Sequence, residues 1–234
     1  MICVPIVAHG LEKARGMLEK VAGAAEVVEL RLDLIGERNW EELLQVAKNL
    51  SPPLKVIVTY RGRDYRNWRE EEERIETLLK AVERDADFVD VEEETAPYLL
   101  TEVRQACSER GKTELILSHH DFTKTPSFNS LRRIEGRLIN AGAHIVKIVT
   151  FARVFADNLT ILRLLTKAYE ERRKMIAFCM GDLGIASRVL APAFGSFVTF
   201  AALEKGAESA PGQLTVRELR EAVSLLRLPL GYGS

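Results

Sequence analysis

The sequence predicts an α/β fold, a single (β/α)8 TIM barrel filling residues 1–234. Three observations carry that expectation. Eight short apolar runs alternate with eight amphipathic segments, and each parallel strand needs a helical crossover to reach the next. The runs are apolar almost throughout, as strands covered on both faces must be. The length of 234 residues is close to the roughly 250 of such barrels. A doubly wound open sheet shares the alternation, but no Gly-x-Gly-x-x-Gly follows the first strand to favour it.

Taken in chain order, the first strand is Ile2–Ala8 and its helix Leu11–Ala22. Val27–Leu34 and Trp40–Leu50 follow, and Ser51-Pro52-Pro53 stops that second helix because the residue before a proline leaves the helical region. Leu54–Tyr60 precedes a helix over Glu71–Val82. Arg69 to Arg74 encloses four consecutive glutamates, which read as a solvated helix start whose acids favour the dipole. The next pairs are Phe88–Val91 with Ala96–Glu109, Leu115–His119 with Leu131–Asn140, and Ile145–Thr150 with Asn158–Arg172. The last two are Met175–Cys179 with Gly184–Ala193, and Phe197–Ala201 with Thr215–Leu226. Thr215-Val216-Arg217-Glu218 is a capping box that opens the final helix. Between the last strand and that helix lies the loop Glu204 to Gln213, which a barrel places over its C-terminal mouth.

Basic and acidic side chains nearly cancel, 33 against 34, and there is no basic block. That balance gives no electrostatic case for nucleic acid or an anionic membrane and suits a small polar metabolite. Cys3, Cys107 and Cys179 are far apart, odd in number and outside any CxxC pair, which suits reduced thiols in the cytoplasm. The start lacks the basic and apolar regions of a signal peptide. The longest nearly apolar run, Val189 to Leu203, contains Pro192 and Gly195 and falls short of the roughly 18 residues of a membrane span.

The informative feature is ionisable residues where strands should be apolar. Glu29, Arg31 and Asp33 alternate in the second strand, so they share one face. Facing a barrel interior, such a trio must be paired or bind something; on an edge strand it would be a surface ion pair. Lys147 sits amid β-branched residues in the sixth strand. Desolvation there would favour the neutral amine that attacks a carbonyl, whereas a strand-end lysine would snorkel to water. His119 and His120 are adjacent and point to opposite faces, so one is expected in a site and the other in the scaffold. His9 and His144 have no supporting context and read as structural. No HExxH and no paired cysteines supply the three or four ligands of a zinc site, so no metal is expected.

Together these segments resemble the type I 3-dehydroquinate dehydratases of the shikimate pathway. The motifs occur in the family's order across nearly the whole chain. They are Glu29-Leu30-Arg31-Leu32-Asp33, Thr59-Tyr60-Arg61, His120-Asp121-Phe122 with Lys124-Thr125-Pro126, and Val146-Lys147-Ile148. Met180-Gly181, Ser187-Arg188, Phe194-Gly195-Ser196 and Ser209-Ala210-Pro211-Gly212-Gln213 complete the set. Each is short, but the ordered set is highly specific.

The resemblance implies a lyase that converts 3-dehydroquinate to 3-dehydroshikimate and water, without metal or organic cofactor, commonly as a homodimer. It implies that Lys147 forms a Schiff base with the substrate ketone and that His120 is the general acid and base of a syn elimination. Arg188 resembles the arginine that holds the substrate carboxylate. Glu29, Arg31, Arg61, Ser209 and Gln213 resemble the groups that bind hydroxyls and order the site, and Met180 an apolar wall beside the imine. One departure stands out. The family's glutamate that orients the histidine, four positions after the third-strand arginine, is Tyr65 here; either Asp64 substitutes or the histidine is oriented otherwise. Two other readings compete with this one. Another Schiff-base barrel, such as a class I aldolase, shares the lysine but does not require the His120–Lys147 pairing with the Ser-Ala-Pro-Gly-Gln segment. A non-catalytic sensor of a shikimate-type acid would be favoured by loss of Lys147 or His120, and both are present.

Overall fold

The computed structural model describes residues 1–36, 39–62 and 67–228. Its strands are β1 (Ile2–Ile6), β2 (Val27–Arg31), β3 (Lys55–Thr59), β4 (Phe88–Glu92), β5 (Glu114–His120), β6 (Ile145–Phe151), β7 (Met175–Met180) and β8 (Thr199–Phe200). They form one sheet in the order β7-β6-β5-β4-β3-β2-β1-β8, with parallel pairing at each step. The two ends are brought together just before β8, where Ser196 bridges Met175 and the Phe197 amide donates to the Met175 carbonyl at 2.7 Å. The sheet is therefore a nearly closed barrel, as the alternation of runs predicts.

The helices are α1 (Leu11–Val21), α2 (Leu32–Ile35), α3 (Glu41–Asn49), α4 (Trp68–Glu83) and α5 (Pro97–Arg110). After them come α6 (Phe128–Asn140), α7 (Asp157–Glu170), α8 (Ile185–Leu190) and α9 (Val216–Leu225). Strand alternation divides the buried residues into two cores. Val28, Leu30, Val146 and Ile148 point outward to the helices, while Val27, Ile57, Ile116, Ile145 and Ile176 fill the barrel interior. Each such side chain contributes about 1.5–3 kcal/mol by leaving water. The same period of two turns Glu29 and Lys147 inward, one step above the apolar layer of Val27 and Ile145.

Four expectations are corrected. The second strand ends at Arg31 rather than Leu34, and Leu32–Ile35 forms a single helical turn closed by Gly36 at φ 70°. Asp33 consequently leaves the strand face, and Arg31 reaches it with two hydrogen bonds of 3.0 and 2.7 Å. The seventh crossover is not one helix over Gly184–Ala193. It is a 3-10 turn over Asp182–Gly184, α8, and a second 3-10 turn over Ala191–Phe194, where Pro192 can donate no hydrogen bond. The first and last strands are shorter than their apolar runs. Finally, the glutamate run is not wholly solvated. Glu71 and Arg74, three apart on one helical face, are only 7% and 3% exposed. Glu71 accepts from the Ala96 amide at 2.9 Å, and Arg74 donates to Thr95 Oγ1 at 2.9 Å, tying α4 to the segment before α5. The capping box is present: Thr215 Oγ1 accepts from the Glu218 amide, and Glu218 from the Thr215 amide.

Candidate active site

The strand ends surround a cavity of about 400 Å³. It lies at the C-terminal mouth, where barrel loops place reactive groups. Lys147, third residue of β6, is only 4% exposed. Its Nζ donates to Asp90 Oδ2 at 2.7 Å, stands 3.6 Å from Glu29 Oε1, and sits 4.6 Å from the centre of the Phe200 ring. The expected desolvation of Lys147 is present, with carboxylates rather than apolar groups around its amine. The β-branched neighbours face the helices, and the amine itself is desolvated among carboxylates.

Asp90 anchors this cluster. Arg61 grips both its oxygens, at 3.0 and 2.8 Å, and Ser118 Oγ donates to Oδ1 at 2.6 Å. Burial alone would raise the Asp90 carboxyl, but Arg61 and Lys147 outweigh it and hold it well below the usual carboxylate range. Burial likewise works against the Arg61 cation, and Asp90, Glu92 and Glu29 overcome it. Glu29 is fixed by Thr59, whose hydroxyl donates to it at 2.8 Å. A buried charge cluster of this kind is tolerated because each member has an opposite partner and a hydrogen bond.

The two histidines separate as strand geometry requires. His120 faces the cavity and lies parallel to Phe122, with ring centres 5.8 Å apart and planes 12° apart. Burial, reinforced by Arg61 and Lys147, pushes its imidazole well below the ordinary value, which favours the neutral ring. His119 turns away and pairs with Glu93, which also accepts from Arg137 at 3.2 Å. His144 is structural: its Nδ1 accepts from the Leu115 amide at 2.8 Å. Among the described residues Glu93, Glu94 and His119 bring potential metal ligands within 4.8 Å of one another, but Glu93 is already taken by His119 and Arg137.

On the opposite wall, α8 carries Arg188, 1% exposed, with its guanidinium 4.4 Å from the centre of the Phe178 ring. Its one hydrogen bond goes to the Pro211 carbonyl at 3.4 Å, and its Nε has no partner. Burial pushes it down to about 10, because no described carboxylate stands against it. Beside it the loop after β8 folds inward. Gln213 accepts from the Ser209 amide and hydroxyl, at 2.7 and 3.2 Å, and its Nε2 is buried without a partner. Gly212 makes the approach possible. At φ 74° it packs so closely that a Cβ would lie 2.3 Å from the Gly181 carbonyl oxygen. A buried donor left unpaired costs about 1–3 kcal/mol, and two such donors belong to residues that line this cavity.

Lys147, His120, Glu29, Arg31, Arg61, Met180, Arg188, Ser209 and Gln213, all singled out in the sequence, line this one cavity. Asp64 lies outside the described residues. Asp90, Glu92 and Ser118 were not singled out, and Thr59 was named only within its motif, without a role. A signal for two of them exists in Phe88-Val89-Asp90-Val91-Glu92, where acids alternate with apolar residues as they do in β2.

The description "Type I 3-dehydroquinase" matches residues 2–228. A protein named 3-dehydroquinate dehydratase from Methanocaldococcus jannaschii is 37% identical over 97% of this chain and 100% of its own length. One of the same name from Methanococcus maripaludis strain C5 is 35% identical with the same coverage. Among solved structures, the 3-dehydroquinate dehydratase of Geobacillus kaustophilus superposes with a TM-score of 0.82 at 27% identity, covering 97% of this chain and 90% of that one.

Proposed function

Because the chain belongs to the type I 3-dehydroquinase family and is a 3-dehydroquinate dehydratase, a hydro-lyase, we propose that it acts through a Schiff base on Lys147 with His120 as general acid and base. The observation that carries this reading is the convergence on one cavity of a buried amine, an imidazole that burial keeps neutral and an arginine with no carboxylate partner among the described residues. The Lys147 amine attacks the ketone carbon of 3-dehydroquinate, water leaves, and a protonated imine forms. His120 takes the proton from the carbon next to the imine, giving an enamine. The enamine expels the hydroxyl one carbon further on, and His120 returns its proton to it as water. Hydrolysis of the conjugated imine frees 3-dehydroshikimate and restores the lysine. The imine is itself the electron sink, so the reaction asks for no metal or organic cofactor.

In this reading Arg188 holds the substrate carboxylate, which supplies the anion its guanidinium lacks among the described residues. Glu29, Arg31, Arg61, Ser209 and Gln213 bind hydroxyls and order the site, and Met180 walls the imine. Asp64 orients His120 if it reaches the ring. Residues 1–234 act as one catalytic domain, in the cytoplasm, on a small-molecule substrate and with no nucleic acid or membrane partner. No helix among the described residues is long and apolar enough to cross a membrane. A homodimer is supported by the exposed apolar side chains Phe155, Leu159, Leu183 and Phe194 on and beside α7, a cluster of the kind that marks an interface.

Two measurements test the reading. Ultraviolet absorbance of purified protein with 3-dehydroquinate should rise as the enone-like product appears; an aldolase or a sensor gives no such rise. Borohydride added with 3-dehydroquinate or 3-dehydroshikimate should inactivate the enzyme and add one ligand mass at Lys147. Labelling at another residue, or none, would falsify the covalent mechanism.

A further inference from the structure

We propose that Asp90 is the resident counter-ion of the protonated imine and fixes the plane of that imine by accepting its single N–H. This rests on the Schiff-base reading of Lys147. An ammonium and a ketone condense to an iminium and water, so the charge on Nζ is the same before and after. The number of N–H bonds is not: three become one. In the free enzyme Asp90 Oδ2 holds one of these bonds at 2.7 Å, while Glu29 Oε1 is at 3.6 Å. The N–H that survives condensation therefore has a nearer, better-placed acceptor in Asp90. Occupying it sets the rotation about the Cε–Nζ bond, and with it which face of the imine is turned toward His120.

Asp90 is built to stay where it is. Arg61 spans both oxygens, and Ser118 Oγ adds a third anchor at 2.6 Å. Rotation of the carboxylate would break all three contacts. Nor is Asp90 the base that frees the amine. Arg61 and Lys147 hold it ionised far into acid, so the proton that leaves the ammonium before attack does not rest on it. A protonated imine draws electrons from the neighbouring carbon far better than a neutral one. A fixed anion against its nitrogen keeps the proton on. The same anion resists the loss of charge when the enamine forms, and Arg61 tempers that resistance by sharing the carboxylate.

The test is reductive trapping as a function of pH. Cyanoborohydride, which reduces protonated imines, is supplied with 3-dehydroshikimate to the wild type, Asp90→Asn and Ser118→Ala, and the adduct at Lys147 is followed by mass spectrometry. An opposite charge in contact moves a proton affinity by about one to three pH units. The alkaline midpoint of trapping should thus fall by about one unit or more in Asp90→Asn, and by less in Ser118→Ala. The other charged or titratable groups facing the pair are Cys3 from β1, Glu29 from β2, Arg61 after β3, Glu92 from β4 and His120 from β5. They are common to all three proteins, so a change in midpoint reports the carboxylate. Superposed curves, or a yield lowered equally at every pH, overturn the proposal. If Asp90→Asn does not fold, Ser118→Ala decides by the same criterion. Absence of any Lys147 adduct in the wild type sinks the Schiff-base reading itself, a different result from an unmoved midpoint.

Discussion

The side-chain oxygen Oε1 of Gln213 accepts from the backbone amide of Ser209 at 2.7 Å, four residues back along the loop after β8. This contact closes the loop on itself and leaves the Gln213 amide nitrogen buried and without a hydrogen-bond partner, in a residue that lines the cavity. Pro211 joins the same closure by accepting from the Gly181 amide at 3.1 Å and from Arg188 at 3.4 Å. The loop thus packs against the segment that follows β7.

If this loop is a lid that must open for substrate and close over the imine, a protease reads its position. Lys205 is exposed and makes a surface contact to Glu218 at 3.2 Å. Trypsin should cut after Lys205 more slowly in the borohydride-reduced adduct than in free enzyme, as gel and mass analysis would show. Equal rates, together with unchanged substrate affinity in Gln213→Ala, would mean the loop is no lid.

Arg188→Ala removes the buried cation that has no carboxylate partner of its own among the described residues. Loss of a charge-assisted hydrogen bond costs about 1.5–3 kcal/mol, roughly tenfold to a hundredfold in apparent binding. Titration calorimetry should show this loss for the acid and a much smaller one for a carboxylate-free analogue. Equal weakening of both would assign Arg188 to packing.

The imidazole of His120 is held well below its ordinary value by burial, then by Arg61 and Lys147. The neutral base it supplies persists as pH falls through 6.5, so the acidic limb of kcat/KM should lie well below that value. Stability follows with the same sign. The unfolded chain takes up the proton first, so unfolding free energy should decrease as pH falls below 6.5 and level off beneath the folded value. If Asp64 orients the ring, Asp64→Asn should lower turnover and displace the acidic limb; an unmoved limb would leave it an ordinary loop aspartate.

Glu71 joins α4 to the Ala96 amide at 2.9 Å and stands 3.7 Å from buried Arg74. Glu71→Ala leaves both without that partner and should cost about 1.5–3 kcal/mol in urea unfolding, with the slope unchanged. A shift under 0.5 kcal/mol, typical of surface sites by about that amount, would restore the solvated reading of the glutamate run.

The barrel, and the set of residues that meet on its cavity, were largely legible in the sequence. Period-two alternation in a strand buried on both faces leaves a charge only two places to go, and the outward places flanking Glu29 and Lys147 are filled by Val28, Leu30, Val146 and Ile148. Glu29 and Lys147 therefore had to face inward, and His119 and His120 had to part. Only the tertiary structure decided what those groups touch. Asp90, the nearest neighbour of Lys147, is 57 residues away, and Arg61 reaches it from 29 away. No local pattern encodes such distances, because they depend on strand register and on where each turn ends. For the same reason Asp33 left its strand, where Gly36 let the chain turn into α2, and Glu71 left the solvent, where α5 came to lie against α4. Strand periodicity fixes the direction in which a side chain points; which partner it meets is fixed only when the barrel closes.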